Sequence, residues 1–346
     1  MKRIISLCIA SVLLAAVLSG CGGSSSSGGS SGGEGAGKEA SADSGKTYTI
    51  KLAHQASETH PWQWSALKFK ELVEERTEGK VKVDVYFGGT LGYDRDLIEG
   101  MQGGTVDMAY VTTAPLAGFV KDVGILDLPY VFEDWEHMEK FVTSDAAGKL
   151  AEKVNEIGLV NICFYPNGFR HVTNNVRPIN SLEDLKGLKM RVMQSDVFID
   201  TFNALGASAV PMGWSEVPTS LQQGTIDGQE NGTITNYSNN IWEYQKYMSL
   251  TNHCAYMTTL IGSKTLLGKL PSEYYEIVVQ AGIEATQYGI ERIQEEEGKL
   301  LEEIKSKGMA INELDTSSLA EATAGVREAF TAENGGEIMD SIKALK

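Results

Sequence analysis

Cysteine is scarce, with four in 346 residues. Cys8 and Cys21 lie near the start, and only Cys163 and Cys254 fall within longer apolar, strand-like runs, NICFY and HCAYM. A disulfide-stapled scaffold is excluded, and both are expected as buried free thiols. The five histidines are scattered, and the chain has no H-E-x-x-H, no phosphate loop ending in Gly-Lys-Ser/Thr and no cysteine pair at zinc spacing. Neither a metal nor a cofactor is therefore expected, and no enzyme signature survives. Gly28 to Gly32 has the G-x-S-x-G form of a hydrolase nucleophile, but that serine needs a strand before it and a helix after it, which a serine-glycine tract does not supply. Positive charge is also short. Thirty Lys and Arg face 46 Asp and Glu, a formal net charge of −16, which excludes nucleic acid and anionic lipid as partners. The apolar stretch from Ile4 to Leu18 is too short for a membrane span, which takes about 20 residues.

That stretch follows Lys2 and Arg3 and ends in Leu18-Ser19-Gly20-Cys21. A basic start, an apolar core and small residues make an export signal. The closing LSGC resembles a bacterial lipoprotein processing site, so residues 1–20 are expected to be removed and Cys21 to carry lipid. Residues 21–46 are mostly glycine, serine and alanine, a composition that buries no core and forms a flexible tether. The expected location is the outer face of the cytoplasmic membrane, with the folded part held by the lipid.

About 300 residues remain, with ample apolar content, and such a length suggests two domains. Tyr48 to Ala53 alternates as a strand, Pro61 opens a helix that Gly79 ends, and VKVDVYF is a second strand. A helix from Asp94 to Gln102 then leads into a strand at Val106 to Val111. Strand and helix alternate, which predicts an α/β sheet. A last helix is predicted from Ser272 to about Lys307, roughly 50 Å if continuous, with a kink or break plausible at Gly282, Gly289 or Gly298 because each costs about 1 kcal/mol against alanine.

The chain also echoes itself. MQGGTVD at 101–107 recurs in kind as LQQGTID at 221–227, each after a helix and before a strand. LGYD precedes the first helix and MGWS the second, so two similar halves each offer a helix N-terminus suited to an anion between them. Three of the eight arginines, Arg170, Arg177 and Arg191, are gathered at 170–191 in this acidic chain. Arginine grips carboxylate with two parallel hydrogen bonds. An arginine in an apolar strand is otherwise as often a structural ion-pair partner, Arg170 could brace a hinge, and Arg177 beside Pro178 is expected to be solvated.

The run GLKMRV at 187–192, SEV followed by LQQGTIDGQEN, and the earlier GFR and RPI elements resemble the solute-binding proteins of TRAP transporters, the tripartite ATP-independent importers of organic acids. The resemblance covers roughly residues 47 to 340. It implies an α/β, two-domain periplasmic-binding-protein-like fold, each domain a mixed sheet flanked by helices, with a cleft between them and a long C-terminal helix spanning both. The boundaries expected are 47–167 plus 257–296 for one domain and 168–256 plus 297–346 for the other.

In the family an arginine and an asparagine hold the ligand carboxylate, and Arg191 and Asn231 match them. The family's usual QENP is here QENG, with Gly232 in place of proline. Trp214 matches an aromatic pocket position. Arg170, and Thr112 and His54 at strand ends in the first half, complete the expected ligand set, while His60, Asn236 and Tyr237 are weaker candidates. The implied partners are a small organic acid and the transporter's membrane subunits. The implied role is capture without catalysis by a monomer. A sugar acid is favoured over a C4-dicarboxylate. A receptor presenting its ligand to a sensor kinase is the alternative.

Overall fold

The computed structural model describes residues 45–346, so the calls on the signal segment, Cys21 and most of the tether lie outside the described residues. Strand β1 (Tyr48–Ala53) is followed by helix α1 (Pro61–Arg76), β2 (Val81–Tyr86), α2 (Asp94–Gln102), β3 (Met108–Thr112), α3 (Thr113–Ala117), α4 (Trp135–Val142) and α5 (Asp145–Asn155). Pro61 sits in the first turn of α1, where its missing N–H costs nothing, and Gly79 takes a positive φ of 73° just beyond the end. Strand β1 lies between β2 and β3, parallel to both. Met108 and Tyr110 of β3 enter the core shared with Phe69 and Val73 of α1, whereas Ala109 and Val111 enter the core shared with Leu150 of α5. Both faces of the strand are covered, which is why it reads as an unbroken apolar run.

The chain continues through β4 (Leu159–Asn174), β5 (Lys189–Val192), α6 (Asp196–Ala204), β6 (Ser208–Pro211), α7 (Val217–Gln223), β7 (Gly228–Gly232), α8 (Thr233–Ser238) and β8 (Tyr247–Ser249). It ends with β9 (Ala255–Ser263), α9 (Lys264–Leu267), α10 (Ser272–Ser306), β10 (Ala310–Asn312), α11 (Ser317–Ala322), α12 (Ala324–Asn334) and α13 (Glu337–Lys343). The internal echo has a structural counterpart: α2, β3 and α3 follow one another as α7, β7 and α8 do. The second helix is entered differently, since Trp214–Glu216 forms a 3₁₀ turn before α7 begins.

Along the sheet the order is β2-β1-β3-β9-β4-β7-β5-β6, with β8 pairing β4 and β10. The sixteen-residue β4 joins the two halves. It pairs with β9 from Leu159 to Phe169, and with β7 from Arg170 to Asn174. The pairing with β9 slips between Pro166 and Phe169, a stretch where proline brings no N–H and Gly168 has a φ of 91°.

Helix α10 is a single uninterrupted element of 35 residues, so the break thought plausible at its glycines does not occur. Two of those glycines are instead places of close approach. A Cβ on Gly289 would stand 1.9 Å from Tyr165 Oη and 2.0 Å from Ser65 Oγ, and one on Gly282 would stand 2.8 Å from Ile162 Cγ2. The propensity cost of glycine is offset by packing α10 directly onto β4 and α1. Helix α13 departs from the expected grouping of 297–346 with the second half. Met339 and Ile342 enter the core formed by α4 and α5, and the Ile342 carbonyl lies 2.8 Å from His137 Nε2. Cys163 and Cys254 are free thiols. Among the described residues no helix is long and apolar enough to cross a membrane.

Candidate functional site

A cavity of about 260 Å³ opens where the carboxyl ends of β3, β5 and β7 meet, the place ligands take in open α/β sheets. Gln55, Asp94 and Thr112 line it from the first half; Arg170, Arg191, Trp214 and Asn231 line it from the second. Five of the six expected ligand residues thus share one cavity. The sixth, His54, does not line it. Its side chain is buried on the α1 side of the sheet, with Nε2 2.9 Å from Gln63 Oε1 and its ring packed edge-on against Trp62. The alternation of β1 explains this, because Ile50 and Leu52 face α1 and residue 54 falls in phase with them. Burial lowers the His54 pKa to about 4, so the ring is neutral.

Arg191 is the unusual charge. It is 3 % exposed, and its Nε and Nη2 both donate to the Met212 carbonyl at 3.0 and 2.8 Å. Nη1 is buried with no partner, and among the described residues no carboxylate lies within ion-pair distance of the guanidinium. Its group stands 5.7 Å from the Trp214 ring centroid. Burial lowers its pKa to about 10, still leaving it charged at neutral pH.

Arg170 differs. It lines the cavity, and one edge of its fork is engaged by the protein: Nε donates to Glu230 Oε2 at 2.5 Å and Nη2 to Oε1 at 2.9 Å and to the Glu230 carbonyl at 2.8 Å. Arg170, expected as a ligand contact, thus lines the cavity and also forms a buried ion pair, with the Tyr256 ring 4.7 Å away. Burial alone would raise the Glu230 pKa. The Arg170 charge, with hydrogen bonds from His253 and Arg170, overcomes it and holds the carboxyl at about 2. Glu230, His253 and Cys254 gather within 4.8 Å as three donor types that bind metals. In this structure the Glu230 carboxylate is engaged by Arg170, and burial pushes the Cys254 thiol well above its ordinary pKa.

Asn231 lies at the end of β7 beside Arg191's strand. Its Oδ1 accepts the Gly232 N–H at 3.1 Å, a bond that proline could not give. Tyr256 fills the space beside Gly232, where an added Cβ would come within 2.8 Å of Cδ1. The glycine that departs from the usual QENP therefore both orients the asparagine and admits the tyrosine. Thr112 has its hydroxyl proton engaged, since Oγ1 donates to Asp94 Oδ2. Asn236 is turned to Gln229, and Tyr237 to Glu303, so neither lines the cavity. His60 does, with Nε2 3.4 Å from Thr235 Oγ1. Arg177 is only half-buried and donates to the carbonyls of Asp184 and Lys186.

Asp94 and Glu230 were not among the expected residues. The first stands in the opening turn of α2, immediately after the LGY that marks that helix start. The second belongs to the QEN element that also supplies Asn231.

The family described as bacterial extracellular solute-binding protein, family 7, matches residues 52–334. A solute-binding protein of Roseobacter denitrificans is 35 % identical over 311 residues, covering 88 % of this chain and 93 % of the relative. A solved TRAP periplasmic solute-binding protein from Polaromonas, bound to D-erythronate, is 33 % identical with a TM-score of 0.84, over 86 % of this chain and 99 % of that one. Another from Shewanella oneidensis, with bound succinate, is 28 % identical with a TM-score of 0.83, over 86 % and 99 %. With a family match over most of its length and relatives of this closeness, the chain belongs to the bacterial extracellular solute-binding proteins of family 7, the receptors of TRAP transporters.

Proposed function

We propose that this receptor captures a sugar acid, an aldonate or a uronate, and delivers it to TRAP membrane subunits. The observation that carries this reading is the buried Arg191 guanidinium, its Nη1 unpartnered, on a residue that lines the cavity together with Asn231. A buried cation with no carboxylate in direct contact is costly, and an anionic ligand supplies the missing partner. Trp214 offers a flat face to carbon-bound hydrogens, and Gln55, Asp94, Thr112 and Asn231 bring polar side chains to the lining. Solved relatives holding galactonate, β-D-galacturonate and β-D-glucuronate support the class. On this reading the halves, 47–167 plus 257–296 and 168–256 plus most of 297–346, close on the ligand about the crossings near residues 168 and 256. Contacts made to both halves at once drive closure. The role is binding and not turnover.

Calorimetry of the purified protein with D-galactonate, D-glucuronate and succinate tests the ligand class. At least one sugar acid is expected to bind tenfold or more tightly than succinate, about 1.4 kcal/mol. Tighter binding of succinate than of both sugar acids, or saturable binding of none of the three, overturns the reading.

Anchoring is proposed on LSGC and the tether that follows it. Cys21→Ser is expected to move the protein from the membrane fraction to the soluble one, with ligand affinity unchanged. Retention of the variant in the membrane fraction sinks the lipoprotein reading.

A further inference from the structure

Opposite Arg191, the first half presents a carboxylate. Asp94 is 5 % exposed and lines the cavity. Its Oδ2 accepts from Thr112 Oγ1 and from Gln55 Nε2 at 2.9 Å, and Oδ1 accepts the Thr112 N–H at 3.3 Å. Three of about four acceptor positions are thereby taken, and the helix start of α2 adds its positive end. These donors hold the group in one orientation and leave room for one further donor. Asp94 is also close enough to Arg191 for each to favour the other's charged form, without forming an ion pair with it. Arg95 and Asp96 line the cavity beside it from the first half, and Glu216 does so from the second.

We propose that Asp94 is the residue that determines specificity, accepting a hydroxyl from a ligand whose carboxylate sits on Arg191 and repelling the second carboxylate of a dicarboxylate. The inference rests on the sugar-acid reading and refines it. A hydroxyl brings a proton that a carboxylate can accept, in a charge-assisted bond. A second carboxylate brings only lone pairs and a like charge into a poorly solvated space. Discrimination here is by rejection as well as by attraction. Burial raises the Asp94 pKa to about 6, so the group is ionised at pH 8, where the test is best run.

The test is calorimetry of wild type and Asp94→Asn with D-galactonate and succinate at pH 8. Asparagine keeps the shape and an acceptor but loses the charge. Succinate is expected to bind more tightly to the variant and galactonate more weakly, so that the ratio of the two affinities falls at least tenfold. A merely structural role would weaken both ligands alike. An unchanged ratio, or equal weakening of both, overturns the proposal. Thermal melting establishes that the variant is folded, and Asp94→Ser, which also suits a helix start, takes its place if it is not, with the same change of ratio expected. The wild-type measurements judge the sugar-acid reading by themselves. A wild type that prefers galactonate, with a variant that keeps the same ratio, refutes the role of Asp94 and leaves that reading standing.

Discussion

Arg191→Ala is expected to weaken sugar-acid binding at least a hundredfold. The arginine is a desolvated cation whose Nη1 has no protein partner, and removing one member of a buried charge pair typically costs about 3–5 kcal/mol. Each 1.4 kcal/mol is tenfold in affinity, so a hundredfold is the lower end of that range. Arg191→Lys should not restore the affinity. Two of the arginine's donors are spent on the Met212 carbonyl, and a lysine ammonium lacks the planar fork that satisfies this carbonyl and a carboxylate together. Isothermal calorimetry on both variants decides the matter. A dissociation constant within threefold of wild type for Arg191→Ala would reduce the residue to a support for the Met212 loop.

Glu230→Ala should be the most damaging change to stability at this site. It strands the Arg170 guanidinium, 1 % exposed, between the Tyr256 and Phe198 rings. His253 Nε2 loses its partner as well. A cost of about 3–5 kcal/mol is expected for the uncompensated buried charge, read as a lowered midpoint in denaturant unfolding. Replacing the pair together, Arg170→Met with Glu230→Leu, should recover a large part of the loss, because an apolar pair of similar volume avoids the stranded charge. Equal instability of the single and double variants would contradict this account. The largest expected effect of Arg191→Ala is therefore read in affinity, and that of stranding Arg170 in stability.

Local pattern made much of the fold legible. The alternation of VKVDVY, the proline at the start of α1 and the repeated Gln-(Gly/Gln)-Gly-Thr-(Val/Ile)-Asp block identify elements that the structure contains, because each depends on neighbours in sequence. Other features depended on distant ones. Arg170 finds its counter-charge sixty residues away on β7, in a register that no local pattern sets. The glycines of α10 looked like weak points until β4 and α1 were placed against them. His54 was a different kind of miss. The period of two along β1 already assigned it to the α1 face, whereas its position at a strand end pointed to the cleft. Asp94 was overlooked because an acid in the first turn of a helix is ordinary, and only the fold sets this one opposite Arg191.

The strand β4 has a mechanical consequence. It belongs to both half-sheets, so the joint between them is a splice within one strand, where the pairing with β9 slips between Pro166 and Phe169 and places the pivot of the closure proposed above. From that pivot the outer edge of the first half-sheet, β2, is four strand spacings away, about 19 Å at about 4.8 Å each. A turn of about 10° there sweeps that edge through about 3 Å. On the closure proposed above, substitutions at Gly168 thus act on a lever whose long arm carries an entire wall of the cavity.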